Sequence, residues 1–109
     1  MKALVTALSK ILPLYPFEAP QGTRAPYGIY VKNVSPIRTK DGIAGYDGSV
    51  TISIYANTID VVDSIVEQII STLDNATIDG YSCYYEGSNE ECYSDIGLIQ
   101  KELTFNILK

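Results

Sequence analysis

The chain has 109 residues, 46% of them hydrophobic and 19% charged, with a formal net charge of −5. That length holds one domain, residues 1–109, and the balance of apolar and charged residues excludes an intrinsically disordered chain. An acidic surface gains nothing from phosphate counterion release and is repelled by anionic lipid, which argues against specific nucleic-acid binding and against a membrane-surface role.

The first residues, Met1-Lys2-Ala3-Leu4-Val5, superficially resemble a secretory leader. Thr6, Ser9 and Lys10 break the apolar run and no small-residue cleavage site follows, so a folded amphipathic start and an intracellular protein are expected. No apolar run approaches the ~20 residues of a membrane span. Within residues 2–12, Leu4, Val5, Leu8, Ile11 and Leu12 recur at helical spacing, and Pro13 and Pro16 end the helix. Residues 13–26 hold four of the five prolines and read as an ordered, irregular connector.

Residues 27–35 are rich in Tyr, Ile and Val and predict a strand with Tyr27, Ile29 and Val31 on one face. Residues 36–48 contain Pro36, Gly42, Gly45 and Gly48 among charges. With Asp41-Gly42 and Asp47-Gly48 as turn signals, they predict a long exposed loop. In 49–56 the alternation of Val50, Ile52, Ile54 and Ala56 with Thr51, Ser53 and Tyr55 predicts a half-buried strand. The strongest helix spans 58–73. Val62, Ile65, Val66, Ile69, Ile70 and Leu73 form its apolar face, Asn57 or Thr58 can cap it, and Asp60 suits its positive end. Asp79-Gly80 is a turn, 81–86 a strand, 87–97 a polar acidic loop. Residues 98–108 form a strand with Ile99, Leu103, Phe105 and Ile107 inward. The expected fold is α+β: a two-layer sandwich in the order α-β-β-α-β-β. Its four-stranded, mainly antiparallel sheet carries both helices on one face.

Catalytic chemistry is scarce. The chain has no His, which removes the commonest general base and metal ligand and every Ser-His or Cys-His pair. Its glycines form neither a phosphate-cradling loop nor a dinucleotide fingerprint. The acids Glu86, Glu90, Glu91 and Asp95 lack the spacing of a hard-cation loop and read as a solvated segment. No enzyme activity, cofactor or metal is expected. Cys83 and Cys92 lack a metal-ligand pattern and read as thiols. Two registers are open for them. A two-residue turn at Gly87-Ser88 would set Cys83 opposite Cys92, within reach of a bridge. Pairing of 81–86 with 98–108 would keep the thiols apart, and the long alternation of 98–108 favours it.

Nine tyrosines and no tryptophan are the compositional oddity. Tyr30, Tyr55 and Tyr84 fall on the face opposite the expected core. That placement suits a self-associating sheet, while the β-propensity of tyrosine explains it as well. Arg24, Lys32, Arg38 and Lys40 lie in the first half and the acids concentrate in the second, a pattern that suits head-to-tail pairing between subunits. The expected interface joins Arg24, Arg38 and Lys40 of one subunit to Asp47, Glu90 or Glu91 of the next, with tyrosines such as Tyr55 supplying apolar area.

Residues 15–30 carry Ala19-Pro20-Gln21-Gly22-Thr23 and then Pro26-Tyr27 leading into a hydrophobic strand. Two other pieces are Val50-Thr51-Ile52-Ser53-Ile54-Tyr55-Ala56 before an amphipathic helix, and Asp95-Ile96-Gly97-Leu98 leading to Leu103-Thr104-Phe105-Asn106-Ile107. Taken in order over almost the whole chain, these resemble the tail-completion proteins of tailed bacteriophages, a group of tail terminators and tail-to-head joining proteins. The tyrosine richness and the two cysteines depart from that pattern. The resemblance implies a virion structural protein without catalytic residues. Such a protein forms a ring with itself, typically a hexamer, at the head-proximal end of the tail. There it caps the tail tube protein and meets the head connector or neck protein. It would reside in the host bacterial cytoplasm before assembly and at the head-tail junction of the virion afterwards, with DNA passing through the ring unbound. The alternative from another class is a small α+β ligand-binding or regulatory domain of a bacterial protein.

Overall fold

The structure, a computed structural model, describes the backbone of residues 2–93 and 97–109 and the side chains of 3–89 and 97–109. The elements run α1 (Lys2–Leu8), β1 (Leu14–Pro16), β2 (Tyr27–Thr39), β3 (Gly42–Ala56), α2 (Ile59–Leu73), β4 (Thr77–Ile78), β5 (Tyr81–Tyr93) and β6 (Leu98–Leu108). Six strands form one mixed sheet in the order β1-β2-β3-β6-β5-β4. This overturns the expected four-stranded antiparallel sandwich: the sheet is a half-barrel with two small helices, and strands dominate it.

Two short strands account for part of the difference. In the connector, Leu14–Pro16 pairs parallel to β2, with Leu14 opposite Gly28 and Pro16 opposite Tyr30. Three residues are too few to show a period of two, and the surrounding prolines mask them. At the other edge Thr77–Ile78 pairs with β5 through a two-residue turn at Asp79-Gly80, both at positive φ (58° and 83°). That is the backbone twist a tight hairpin requires.

The larger difference lies in two segments expected to be loops. Residues 36–48 continue β2 and β3 as a long hairpin, with Pro36 opposite Tyr46, a register shift at Ile37/Arg38 and Thr39 opposite Gly42. The chain reverses at Lys40-Asp41. There Thr39 Oγ1 donates to the Gly42 carbonyl (3.1 Å) and accepts from the Asp41 N–H (3.3 Å), and Gly42 takes φ +122°. Asp41-Gly42 therefore belongs to the turn, whereas Asp47-Gly48 sits inside a strand. Residues 87–93, expected to be loop, likewise extend β5 along β6, with Glu90 opposite Lys101 and Cys92 opposite Ile99. Backbone pairing with a neighbour overrode the polar composition in both places.

The core lies between one sheet face and the two helices. Leu4 and Leu8 of α1 and Val62, Ile65, Val66, Ile69 and Leu73 of α2 meet Val50, Ile52, Ile54, Leu103, Phe105 and Ile107. Thr58 caps α2 by accepting the Val61 N–H at 3.3 Å. The β-branched face of α2 has low intrinsic helix propensity, so the sheet under it supplies the stabilisation. Lys101 shares the core-facing side of β6 but lies at the rim, where its Nζ stands 3.9 Å from Asp63 on α2. An ion pair this exposed contributes about 0–1 kcal/mol.

The register reverses one facing. Tyr30 is opposite Ile52 and packs against the core, so Tyr27, Ile29 and Val31 belong to the open face, beside Tyr55, Ser53 and Thr51. The alternation of β2 has apolar residues on both sides, which leaves its phase undetermined until β3 is paired to it.

Cys83 is buried opposite Ile107, and Cys92 lies nine residues further along the same strand. Nine strand residues span roughly 30 Å, so the two cannot bridge. Thiol titration of unreduced, denatured protein is expected to find two free thiols. In the folded protein Cys83 should react far more slowly than an exposed cysteine. Burial raises its pKa, outweighing a backbone hydrogen bond from Ile78 that lowers it, so less of the reactive thiolate is present at a given pH. No free thiol at all would contradict the pairing of β5 with β6.

Candidate subunit interface

The molecule measures 53 × 26 × 23 Å. Its length comes from two hairpins pointing in opposite directions: β2–β3 turns at one end, and β5–β6 turns at the other, where Ala56 meets Ile99. This geometry separates the expected interface residues. Arg24 is exposed in the connector just before β2, while Arg38 and Lys40 are exposed at the far tip. Eleven residues of β2, 27–37, lie between Arg24 and Arg38, about 36 Å of strand. One compact contact cannot use all three cations. Asp47 is exposed on β3, opposite Ser35 and Leu108, nearer the Arg38 end. Glu90 and Glu91 stand opposite Lys101 and Gln100 near the Arg24 end, and their side chains lie outside the described residues. Lys32 turns to the helix side, where its Nζ sits 5.4 Å from the centre of the Tyr81 ring; the Lys109 Nζ is 5.2 Å from the same ring.

Tyr55 is half-buried on the open sheet face and stacks on Tyr27, with ring centroids 5.0 Å apart and planes at 16°. Neither helix covers this face. Across the four long strands its positions include Ser49, Thr51, Ser53, Thr104 and Asn106, together with the carboxylates Asp47 and Glu102. The register places neither Lys nor Arg on this side of the described β2, β3 and β6 up to the bulge at Ile37/Arg38. A face of hydroxyl, amide and apolar side chains with a few carboxylates offers a phosphate backbone no cation along these strands.

Among the described residues, no group of three or more potential ligands is placed to hold a metal ion. Of the acidic segment only the Glu86 side chain is described; those of Glu90, Glu91 and Asp95 are not. No described helix is long and apolar enough to cross a membrane.

Exposed apolar side chains mark a site that residue-type reasoning passed over. Phe17 is 74% exposed and has φ +63°. A bulky residue rarely adopts that left-handed conformation, and its persistence requires the surroundings to over-determine it. Here the Phe17 N–H donates to the Tyr30 carbonyl at 3.1 Å and the Glu18 N–H to the Pro16 carbonyl at 2.7 Å. At the other side of the sheet, Tyr84 and Leu108 are each about half exposed on the open face. They border an open depression of about 350 Å³ that Asp47, Gly48, Asn106 and Ile107 complete. The only sequence signal for Phe17 was its place among prolines, where a large aromatic has no periodic partner to bury it.

Over 99% of this chain and 84% of the other, the fold is similar to that of a chain in the solved virion of a native gene transfer agent particle, with a TM-score of 0.71. The two are 13% identical, so the likeness is one of fold. No protein-family model matches the chain, and no curated protein matches it in sequence.

Proposed function

We propose that this chain is a structural protein of a tailed phage or phage-like particle. In this reading it assembles with itself into a ring, most simply a hexamer, at the head-proximal end of the tail. The ring caps the tail tube and joins it to the head connector, and it carries no catalytic activity. The observation that carries this reading is the likeness to a gene transfer agent virion chain over nearly the full length. The motif resemblance to tail-completion proteins supports the narrower role. An open sheet face poor in cations suits a channel along which DNA slides without sticking. The separation of Arg24 from Arg38 and Lys40 supports a reading in which the two sets serve different contacts, one between neighbours in the ring and the other toward tube or connector.

The test is a particle lacking this gene. Filled heads and tails that fail to join, with tails of abnormal length or end structure, are the expected outcome by electron microscopy. Normal infectious particles would refute the proposal. The purified protein should be a monomer or weak oligomer when dilute and a closed ring when concentrated or bound to isolated tails. Mass photometry with negative-stain imaging reads this directly.

A further inference from the structure

We infer that Phe17 is the anchor of the contact between neighbouring copies and that it seats in the depression beside Tyr84 and Leu108 of the next copy. The inference rests on the ring reading and names the residues that would close it.

Three observations carry it. First, the knob is built. Phe17 is the most exposed of the large hydrophobic side chains among the described residues, and it is held at positive φ by backbone hydrogen bonds rather than left on a free loop. A rigid, projecting aromatic loses little freedom on binding, which is what makes such residues interface anchors. Second, the hole is chemically matched. Tyr84 and Leu108 give the depression apolar walls, the backbone of Ile107 and Gly48 forms its floor, and Asp47 and Asn106 stand at its rim. Tyr84 and Leu108 remain exposed in the isolated chain. Third, knob and hole lie on opposite sides of one sheet. Phe17 follows β1 at one edge, whereas Tyr84 and Leu108 lie on β5 and β6 toward the other. A copy cannot fill its own depression. A contact of this kind is head-to-tail, the class that closes into a ring when its rotation divides a full turn and otherwise runs on as a filament. Phe17 adjoins Tyr30, level with Leu103, so the knob is offset from the hole by roughly 10–17 Å along the strands. A closed ring of sheets accommodates such an offset by tilting its strands.

Charge agrees with the apolar match. Arg24 is exposed in the same connector, seven residues after Phe17, and Asp47 lines the depression, so the proposed docking puts a cation-bearing connector against a carboxylate-bearing hole.

The test uses the full chain with Cys92→Ser to remove background reactivity; Cys83 is buried. A Glu18→Cys, Asn106→Cys variant, which keeps Phe17, Tyr84 and Leu108 and places the thiols beside knob and hole at exposed positions, treated with a short bis-maleimide at ring-forming concentration, or on isolated tails, should give a ladder of cross-linked multimers. Either single variant should give none, and a mixture of the two singles should give dimers only. Phe17→Ala should raise the concentration for half-assembly at least tenfold while leaving the monomer's circular dichroism unchanged. Arg24→Asp should weaken assembly and Asp47→Arg added to it should restore it. Rings that form normally with Phe17→Ala and do not cross-link overturn this inference and leave the ring reading standing. Absence of any multimer, in solution or on tails, overturns both.

Discussion

Replacing Phe105 with Ala should cost about 3–5 kcal/mol of folding free energy, a large fraction of the roughly 5–15 kcal/mol a domain of this size possesses. Phe105 is fully buried and is among the largest fully buried side chains. It stands between Val50 on β3 and Tyr85 on β5, and the Tyr85 ring lies 5.5 Å from its own at 57°, the tilted geometry aromatic pairs prefer. Truncation removes that contact and leaves a cavity under α2, whose β-branched face has no stability apart from the sheet. Urea denaturation should show a midpoint far below that of the wild type, or no cooperative transition. A loss under about 1 kcal/mol would mean that the helices do not pack on this face.

Gly48→Ala should destabilise the fold by about 1–3 kcal/mol, the range for forcing an extra carbon into a filled site. An added Cβ would lie 2.8 Å from Val34 Cα and 2.9 Å from the Asn33 carbonyl carbon, and would overlap the Asn33 oxygen. All three are backbone atoms of the paired strand, so no side chain can swing aside. Relief requires β2 and β3 to separate where Val34 faces Gly48. Gly87→Ala is the control: an added Cβ there meets nothing within 4 Å and φ is not positive, so the change should be neutral or slightly stabilising. Thermal unfolding of the two variants side by side separates a steric role for Gly48 from a general cost of losing glycine. Equal behaviour would argue against the close approach of β2 and β3.

Several elements were legible in the amino-acid sequence because their physics is local. The α2 stripe from Val62 to Leu73, its Thr58 cap and the alternation of 50–56 and 99–107 each occur within one element, where a single face is buried and the period shows. The absence of His excluded whole classes of catalysis without any structure. Tertiary structure decided the rest, because it depended on what each backbone met across the sheet. Leu14–Pro16 and Thr77–Ile78 are strands only because β2 and β5 lie beside them. Pro36, Gly45 and Gly48 read as loop, yet they sit in a hairpin held by backbone hydrogen bonds between the paired strands, a ladder to which Pro36 contributes no N–H. The phase of β2, with Tyr30 inward and Tyr27 outward, was set by pairing to β3. The interface candidates show the same division. Arg24, Arg38, Lys40, Asp47, Tyr55, Glu90 and Glu91 could be picked by charge and residue type. Which of them can act together was fixed by about 36 Å of β2 between Arg24 and Arg38, and Phe17 emerged only from its exposure and backbone conformation. Residue type and period record what a segment buries; distances between segments exist only once the chain has folded.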